Sequence, residues 1–249
     1  MNHQGLARLS PVAVVGAMAE EVQRLRTGLV GGVTVQAEPF KVQRGTLAGV
    51  PVLLAECGVG KVNAAALTQF LICEGAKSFV FTGVAGALDD ELTVGDVVIG
   101  DSAVQHDVDV TALGYALGHV PGSQASWPAD EELVELAYAA ARSVAAASST
   151  QAAAAFRVEV GTVATGDRFI AARSDAARLR SVFGALCAEM EGAACAQVCA
   201  AWGVPFVIVR SVSDNADHSA NVDFRSFTTL AAERADRIVT GILEALVQR

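Results

Sequence analysis

Short apolar runs alternate with amphipathic segments along most of the chain, which is the pattern of strands alternating with helices. At the start, the apolar run Val12–Gly16 predicts a buried strand, and apolar residues at helical spacing predict a helix over Met18–Leu29. The further predicted strands are Phe40–Leu47, Val52–Ala55, Ser78–Thr82, Val94–Ile99, Arg157–Ala164, Ala185–Glu189 and Phe206–Val212. The further predicted helices are Gly60–Cys73, Asp130–Ala147, Asp175–Val182, Glu191–Trp202 and a closing helix from about Phe224 to Val247.

This alternation predicts a single domain of the α/β class that covers residues 1–249. Its architecture is expected to be a three-layer α/β/α sandwich, in which helices cover both faces of a mostly parallel or mixed sheet. Two segments are predicted to be peripheral. Residues 1–11 form an N-terminal extension, and residues 145–155, which are rich in Ala and Ser, form an excursion at the surface.

Charge and composition narrow the class of ligand. The chain has 249 residues with 18 basic and 27 acidic side chains, so its formal net charge is −9. This balance argues against a nucleic-acid partner, because neutralising phosphates requires clustered Lys and Arg. A membrane-spanning role is also disfavoured, since no apolar run approaches the roughly 18 residues that a span needs. A small neutral or cationic ligand fits the charge better.

Five cysteines without a C-x-x-C pair indicate reduced thiols in the core and a reducing compartment, which we expect to be the cytoplasm. Cys195 and Cys199 would share one helix face, and His106, Asp107 and Asp109 lie close together, but neither set supplies enough ligands for a metal site. We therefore predict no metal and no cofactor, and we assign the segment at His106 to a loop.

The glycine-rich segments do not complete a nucleotide-binding motif. Gly60-Lys61 looks like the end of a P-loop, but Ala55 and Val62 stand where that motif needs Gly and Ser or Thr. Residues 58–60 and 83–86 each lack the third glycine of a dinucleotide fingerprint. Both segments are predicted to be tight turns next to strands.

Carboxylates stand at the carboxyl ends of several predicted strands, where open α/β sheets bind their ligands. Glu21 follows the first strand, Glu189 and Glu191 end the strand from Ala185, and Asp214 with Ser213 ends the strand from Phe206. Each acid alone is explained as a helix cap or a first-turn acid. Their convergence on one sheet edge instead predicts an acidic, partly buried site that is poor in phosphate-binding groups.

Several segments, taken in order, resemble the motifs of the 5′-methylthioadenosine/S-adenosylhomocysteine nucleosidases, a family of the nucleoside phosphorylase superfamily. The segments are Val14–Glu21, Gly58–Ala64, Thr82–Gly86, Asp107–Thr111, Gly166–Ile170, Glu189–Glu191 and Arg210–Asp214. The resemblance runs from about Val12 to Leu246. It implies one α/β domain with a central mixed sheet and a homodimer.

The resemblance also implies a reaction, the irreversible hydrolysis of the N-glycosidic bond of adenosine thioethers to adenine and a 5-thioribose sugar. Asp214 resembles the acid that protonates adenine N7, with Ser213 steering its carboxyl group. Such an acid needs a raised pKa, which an apolar strand end provides. Glu21 resembles the residue that activates the attacking water, and Arg210 resembles its orienting partner.

The remaining pocket residues follow from the same resemblance. Glu191 is similar to the ligand of the ribose 2′- and 3′-hydroxyls, next to Met190, which packs on the sugar, and Glu189 belongs to the same motif. Phe169 is similar to the residue that stacks on adenine, and the backbone of Ile170 to the group that reads its polar edge. The apolar wall around the 5′ substituent corresponds to Met18, Val59 and Phe224. The segment contributed by a dimer partner corresponds to Leu113 and Pro121.

Two positions depart from the family pattern. Val84 stands where some members have a serine, so we do not expect it to act in catalysis. Arg168 replaces a small or neutral residue directly before Phe169, and we expect it to be exposed at the surface. The range of 5′ substituents is therefore less well defined than the reaction.

Other functions remain open. A phosphorylase of the same superfamily would use phosphate, but Glu20 and Glu21 in the first loop would repel that anion, so water is favoured. An aminodeoxyfutalosine nucleosidase would act on the same adenine and ribose with a different 5′ substituent. A nucleoside-binding protein without activity is disfavoured, since binding alone does not need Glu21, Glu191 and Asp214 together.

Overall fold

The structure is a computed structural model that describes residues 7–150, 155–216 and 220–248, with the backbone alone at 149–150, 220–226 and 228–229. The strands are β1 Val12–Gly16, β2 Val30–Val35, β3 Lys41–Leu47, β4 Val50–Glu56, β5 Ser78–Ala87, β6 Val97–Gln105, β7 Trp127–Pro128, β8 Val158–Thr165, β9 Cys187–Glu189 and β10 Phe206–Asp214. The α-helices are α1 Ala19–Gly28, α2 Lys61–Cys73, α3 Glu131–Thr150, α4 Arg173–Phe183, α5 Gly192–Trp202 and α6 Ala220–Gln248, and Thr111–Leu113 form a 3₁₀ turn.

Strand β5 lies between β1 and β10 and is parallel to both. On the β1 side the sheet continues through parallel β4 to antiparallel β3 and β2. On the β10 side it continues through antiparallel β6 to β8 and β9, and β9 returns to the end of β5 as an antiparallel partner. The sheet is mixed, as predicted, and its second half curls round until it closes on β5.

Strand β1 shows why both faces of the sheet are covered. Its residues are all buried, and successive side chains of a strand point to opposite faces. Val12 and Val14 join an apolar cluster with α1, α3 and α6, whereas Ala13 and Val15 join a second cluster with α2 and α5. The predicted three-layer arrangement of helices, sheet and helices is confirmed.

Strand β5 continues to Ala87, well beyond the predicted end at Thr82, and contains residues 83–86. The prediction of a turn at 83–86 is therefore wrong. The glycines serve close approach and not a bend: a Cβ atom on Gly83 would lie 2.7 Å from Glu21 Oε1, and one on Gly86 would lie 2.8 Å from Asp214 Oδ1. Residues 58–60, by contrast, do form the predicted turn, between β4 and α2.

Other element boundaries also differ from the prediction. Strand β2 was not predicted, because Val30–Val35 is mostly exposed and lacks an apolar alternation. Strand β6 begins at Val97 and runs to Gln105, and α6 begins at Ala220. Helix α3 extends to Thr150 and so includes the first part of the predicted excursion at 145–155, of which residues 151–154 lie outside the described chain.

The described part of the predicted N-terminal extension packs onto the core. Leu9 is fully buried, and Ser78 Oγ donates a hydrogen bond of 2.6 Å to its carbonyl oxygen.

All cysteines are free thiols, and only Cys73 on α2 is exposed, so the expectation of a core position is wrong for that residue. Cys195 and Cys199 share a buried face of α5, with their Sγ atoms 3.9 Å apart. No helix within the described residues has the length and apolar character needed to cross a bilayer.

Candidate active site

A cavity of about 570 Å³ opens at the carboxyl ends of β1, β5 and β10. It brings together most of the residues that the sequence singled out, from five separate parts of the chain. The lining residues are Ala17, Met18, Glu21, Val59, Val84, Ala85, Gly86, Arg168, Phe169, Ile170, Ala171, Ala188, Glu189, Met190, Glu191, Ser213 and Asp214. The predicted convergence of Glu21, Glu191 and Asp214 on one sheet edge is therefore present in the structure.

Glu21 lies in the first turn of α1 and is held by backbone donors. Its Oε2 accepts hydrogen bonds from the amides of Ala17 at 2.7 Å and Met18 at 2.9 Å, and its Oε1 accepts one from Val84 at 3.1 Å. Burial raises the pKa of this carboxyl above its usual value, although the charge of Arg210 and the three amides act in the opposite direction. The side chain is fixed in place, and a carboxylate offers about four lone-pair sites, so one remains for a water molecule.

Arg210 on β10 is almost fully buried and pairs with Glu189. Its Nη2 lies 2.5 Å from Glu189 Oε2, and its Nη1 donates to the carbonyl oxygen of Phe81 at 3.0 Å. The sequence predicts Arg210 as the orienting partner of Glu21, and in the structure the direct ion pair of Arg210 is with Glu189. Glu189 takes the ion pair because it faces Arg210 from the end of β9, and Arg210 acts on Glu21 through its charge alone.

Glu189 is surrounded by internal donors. Its Oε1 accepts from the Thr165 hydroxyl, and Oε2 accepts from the amides of Glu191 at 3.2 Å and Gly192 at 2.8 Å. These two amides belong to the start of α5, where a carboxylate also complements the helix dipole. Glu189, which the sequence places among the substrate-binding residues, lines the cavity, and its carboxylate holds Arg210 and the beginning of α5.

Glu191 is buried directly before α5, two residues after Glu189. Its Oε1 accepts a hydrogen bond of 2.7 Å from the amide of Gly60, in the turn that also carries Val59. Burial and the nearby charge of Glu189 raise the pKa of this carboxyl to about 8. Met190, between the two acids, is half-buried and lines the cavity.

Asp214 ends β10 next to a bulge that begins after Val212. Ser213 Oγ donates to Asp214 Oδ2 at 2.8 Å, and the amide of Ala216 donates to Asp214 Oδ1 at 2.9 Å. Both residues are buried and line the cavity, so the carboxyl group is oriented by its neighbours in sequence. This is the geometry expected of a positioned acid.

The rim of the cavity is largely apolar. Phe169 and Val59 are each about half exposed, at 52% and 51%, whereas Ile170 is buried and Met18 is half-buried. Arg168 lies at the rim with an exposed side chain, as expected, and its Nη2 forms an ion pair of 3.1 Å with Asp175.

Two predicted site residues, Leu113 and Pro121, are not among those that line the cavity. Leu113 and Pro121 are exposed, with Leu113 at 73%. The backbone of Phe224 belongs to α6, and its side chain lies outside the described residues.

Several residues around the site were missed by the sequence analysis. Thr165 is fully buried at the end of β8 and donates from its hydroxyl to Glu189; a polar residue that ends an apolar strand is the signal that would have identified it. Lys61, Asp107 and Asp167 bond to one another beside the cavity. No group of three or more metal-ligating side chains occurs in the described parts of the chain.

A curled mixed sheet with buried carboxylates at the ends of its parallel strands defines a member of the phosphorylase superfamily, and a family model of that description matches residues 11–244. A protein of Geobacillus thermodenitrificans named 5′-methylthioadenosine/S-adenosylhomocysteine nucleosidase is 44% identical over 93% of this chain and 95% of its own. The chain belongs to this nucleosidase family, whose members are enzymes.

Solved structures agree with this assignment. The 5′-methylthioadenosine/S-adenosylhomocysteine nucleosidase of Neisseria meningitidis, in complex with methylthio-immucillin-A, superposes with a TM-score of 0.87 at 42% identity, over 94% of this chain and 98% of that one. A futalosine hydrolase of Helicobacter pylori superposes with a TM-score of 0.84 at 30% identity, over 94% and 97% of the two chains. The fold is thus shared with enzymes that differ in their named substrates.

Proposed function

We propose that this protein hydrolyses the N-glycosidic bond of 5′-methylthioadenosine and S-adenosylhomocysteine, releasing adenine and the 5-thioribose sugar. One observation carries the proposal: Glu21 and Asp214, each fixed by hydrogen bonds, face one cavity from opposite sides of β5. Cleavage of this bond needs an acid for the departing base and a group that positions water, and these two carboxyls supply both.

In the proposed mechanism, Asp214 in its protonated form donates a proton to adenine N7, while the hydrogen bond from Ser213 keeps its carboxyl group oriented. As the bond to adenine lengthens, positive charge develops on the ribose. The carboxylate of Glu21 lies in the same cavity and favours that charge. Glu21 holds the attacking water and accepts its proton as the new C–O bond forms.

The cavity walls fit an adenosine thioether. Phe169 provides an exposed aromatic face on which adenine stacks, and Glu191 accepts hydrogen bonds from the ribose hydroxyls, next to Met190. Met18 and Val59 supply apolar surface for the 5′-alkylthio group. The names of the Geobacillus and Neisseria relatives point to the same two substrates.

Water is favoured over phosphate by the charges of the cavity. Arg168 is the basic residue among those that line it, and it already pairs with Asp175. Arg210, immediately behind the wall, is engaged by Glu189. Among the described residues that line the cavity, no cation is available to a phosphate dianion, and the Glu21 carboxylate would repel it, which opposes binding.

The decisive experiment measures adenine release from methylthioadenosine by the purified protein, with and without phosphate. Release at the same rate in both conditions, with free methylthioribose as the sugar product, supports hydrolysis. A requirement for phosphate, or the appearance of a sugar 1-phosphate, would establish a phosphorylase instead. Absence of release in both conditions would refute the proposal.

A second candidate substrate is aminodeoxyfutalosine, which carries the same adenine and ribose. It is favoured by the similarity to the futalosine hydrolase of Helicobacter pylori. The residues around adenine and ribose cannot discriminate between these nucleosides, since only the 5′ substituents differ. Comparison of kcat/KM for methylthioadenosine, S-adenosylhomocysteine and aminodeoxyfutalosine decides among them.

We also propose that the enzyme is a cytoplasmic homodimer in which the segment with Leu113 and Pro121 of each protomer completes the 5′ pocket of the other. The exposure of Leu113 supports this role, because an apolar side chain at the surface favours a protein contact. Free thiols throughout the chain support a reducing compartment. Analytical ultracentrifugation tests the dimer, and Leu113→Glu is expected to weaken it; a monomeric, fully active wild type would contradict the shared pocket.

A further inference from the structure

Three residues that the proposed mechanism does not use form a closed ring of hydrogen bonds beside the cavity. Lys61 Nζ donates to Asp107 Oδ1 at 2.6 Å, the amide of Asp167 donates to Asp107 Oδ2 at 2.9 Å, and the amide of Lys61 donates to Asp167 Oδ1 at 2.9 Å. We call this set the Lys61–Asp107–Asp167 ring. It connects the start of α2, the segment after β6 and the segment after β8.

Each side of the ring is adjacent to a part of the cavity. Lys61 directly follows Gly60, whose amide donates to Glu191 Oε1 at 2.7 Å. Asp167 directly precedes Arg168, Phe169 and Ile170, which line the cavity. The ring therefore joins the ribose side of the proposed site to its adenine side.

The two sides approach each other closely at position 60, where the backbone conformation favours glycine. A Cβ atom on Gly60 would lie 3.1 Å from Asp167 Oδ1, and the φ angle of Gly60 is +101°, a conformation that residues with a side chain rarely adopt. Asp167 Oδ1 also lies at the N-terminus of α2, where the helix dipole stabilises negative charge. The geometry of the turn and the ring are thus interdependent.

Lys61 and Asp107 form a charged pair within the ring. Lys61 and Asp107 are both largely buried, with 18% of each side chain exposed, and Lys61 Nζ also donates to Gln105 Oε1 at 3.1 Å. Burial acts to raise the pKa of Asp107, but the hydrogen bonds from Lys61 and from the Asp167 amide outweigh it, and the net pKa lies below the usual value. Asp107 is therefore ionised at neutral pH and accepts both bonds.

We propose that the Lys61–Asp107–Asp167 ring is a positioning device for the reaction: it holds the Phe169–Ile170 segment at a fixed distance from Gly60 and Glu191, so that adenine and ribose are bound together. The inference rests on the proposed function of the cavity. Opening the ring leaves Glu21 and Asp214 in place, because their hydrogen bonds come from other parts of the chain. Substrate binding is then impaired while the chemical step is preserved.

The test uses Asp107→Ala, Asp107→Asn and Lys61→Met in the full-length protein, with methylthioadenosine as substrate. We expect KM to rise about 10-fold or more in Asp107→Ala, because a charge-assisted hydrogen bond is lost, while kcat stays within about 3-fold of wild type. Asp107→Asn keeps an acceptor for the Asp167 amide and should lie between wild type and Asp107→Ala. In the double variant, the effects of Lys61→Met and Asp107→Ala should be less than additive.

Asp89→Asn is the matched control. Asp89 is also an aspartate in an ion pair, with Arg180 Nη2 at 2.5 Å, and 20% of its side chain is exposed, but it does not line the cavity. We expect its KM to equal that of wild type. If KM rises equally in this control, the rise in Asp107→Ala comes from a general loss of ion pairing, and the proposal is overturned.

Hydrogen exchange provides a readout that does not depend on activity. The amides of Lys61 and Asp167 should lose protection in Asp107→Ala, and those of Ala17 and Met18 should keep theirs. Unchanged KM and unchanged exchange in residues 166–170 would refute the positioning role. If wild type releases no adenine, the proposed function fails, and the exchange experiment still decides whether the ring holds the two segments together.

Discussion

Ser213 donates a hydrogen bond of 2.8 Å to the side chain of Asp214, the residue that follows it, at the end of β10. Because Ala216 binds the other carboxyl oxygen from its amide, the plane of the Asp214 carboxyl group is fixed from two sides. A group that must deliver a proton to one atom of a bound base needs this orientation before the substrate arrives.

Replacement of the acid is expected to abolish turnover and to preserve binding. Asp214→Asn keeps the shape of the side chain but cannot deliver the proton, so kcat should fall by about 10²- to 10⁴-fold. Ser213→Ala should show a smaller loss. Adenine release measures the rates, and calorimetry with a non-hydrolysable adenosine analogue measures binding. Undiminished turnover of Asp214→Asn would remove Asp214 from the role of acid.

The acid can also be displaced without changing it. In Gly86→Ala the new methyl group would lie 2.8 Å from Asp214 Oδ1 and must push the carboxyl aside, so kcat should fall although every reacting group is present. Gly28→Ala is the control, because the nearest atom to its methyl group is 3.6 Å away, in ordinary contact with Leu47. Equal activity of the two variants would show that the position of Asp214 does not limit the rate.

Glu21 should determine the acidic side of the pH profile. It must be ionised to accept a proton from water, and burial holds its pKa above the usual 4.5. Activity should therefore fall as pH decreases through a value above 4.5, and Glu21→Gln should lose about 10²- to 10⁴-fold in kcat at neutral pH. The dependence of kcat/KM on pH measures this limb. A limb that persists unchanged in the residual activity of Glu21→Gln belongs to another group.

Glu191 should make the free protein less stable as the pH rises. Its pKa is about 8 in the folded protein, against a usual value of 4.5, so between these limits the folded state binds the proton that the unfolded state has released. The free energy of unfolding then falls with increasing pH, by at most about 1.4 kcal/mol per pH unit from this group. Urea unfolding between pH 5 and pH 8 should show a smaller fall in Glu191→Gln than in wild type. An identical slope would contradict the raised pKa.

The buried ion pair between Arg210 and Glu189 should dominate the stability of the site. Arg210→Met leaves the Glu189 carboxylate without its counter-charge in the core, and we expect a loss of about 3–5 kcal/mol. Arg44→Ala, which removes an exposed ion pair with Glu74, should cost less than about 1 kcal/mol. Chemical unfolding followed by circular dichroism measures both. Similar losses of unfolding free energy in the two variants would mean that burial does not make the Arg210–Glu189 pair more important for stability than an exposed pair.

The sequence predicted the alternation of elements and the convergence of carboxylates well, because both follow from local patterns. An all-apolar run such as β1 has to be buried on both faces, and acids placed after parallel strands meet at one edge. The resemblance to known nucleosidases then supplied the reaction and the role of each residue.

The partners of buried charges were beyond the reach of local patterns. Arg210 has Glu189 and Glu21 within the range of its charge, and only the antiparallel return of β9 to β5 determines that Glu189 takes the direct contact. For the same reason the glycines at 83 and 86 were assigned to a turn. These glycines are required because the side chains of Glu21 on α1 and Asp214 on β10 approach the backbone of β5 closely.

The central position of β5 has a consequence for how the two catalytic groups behave. Glu21 follows β1 and Asp214 ends β10, and these strands lie on either side of β5. Two interstrand spacings, roughly 10 Å, therefore separate β10, which carries Asp214, from β1, which leads into the first turn of α1 with Glu21. Carboxyls that share a proton lie much closer together. The sheet thus places the proposed acid and the proposed base on opposite sides of one strand, where each can serve its own part of the reaction.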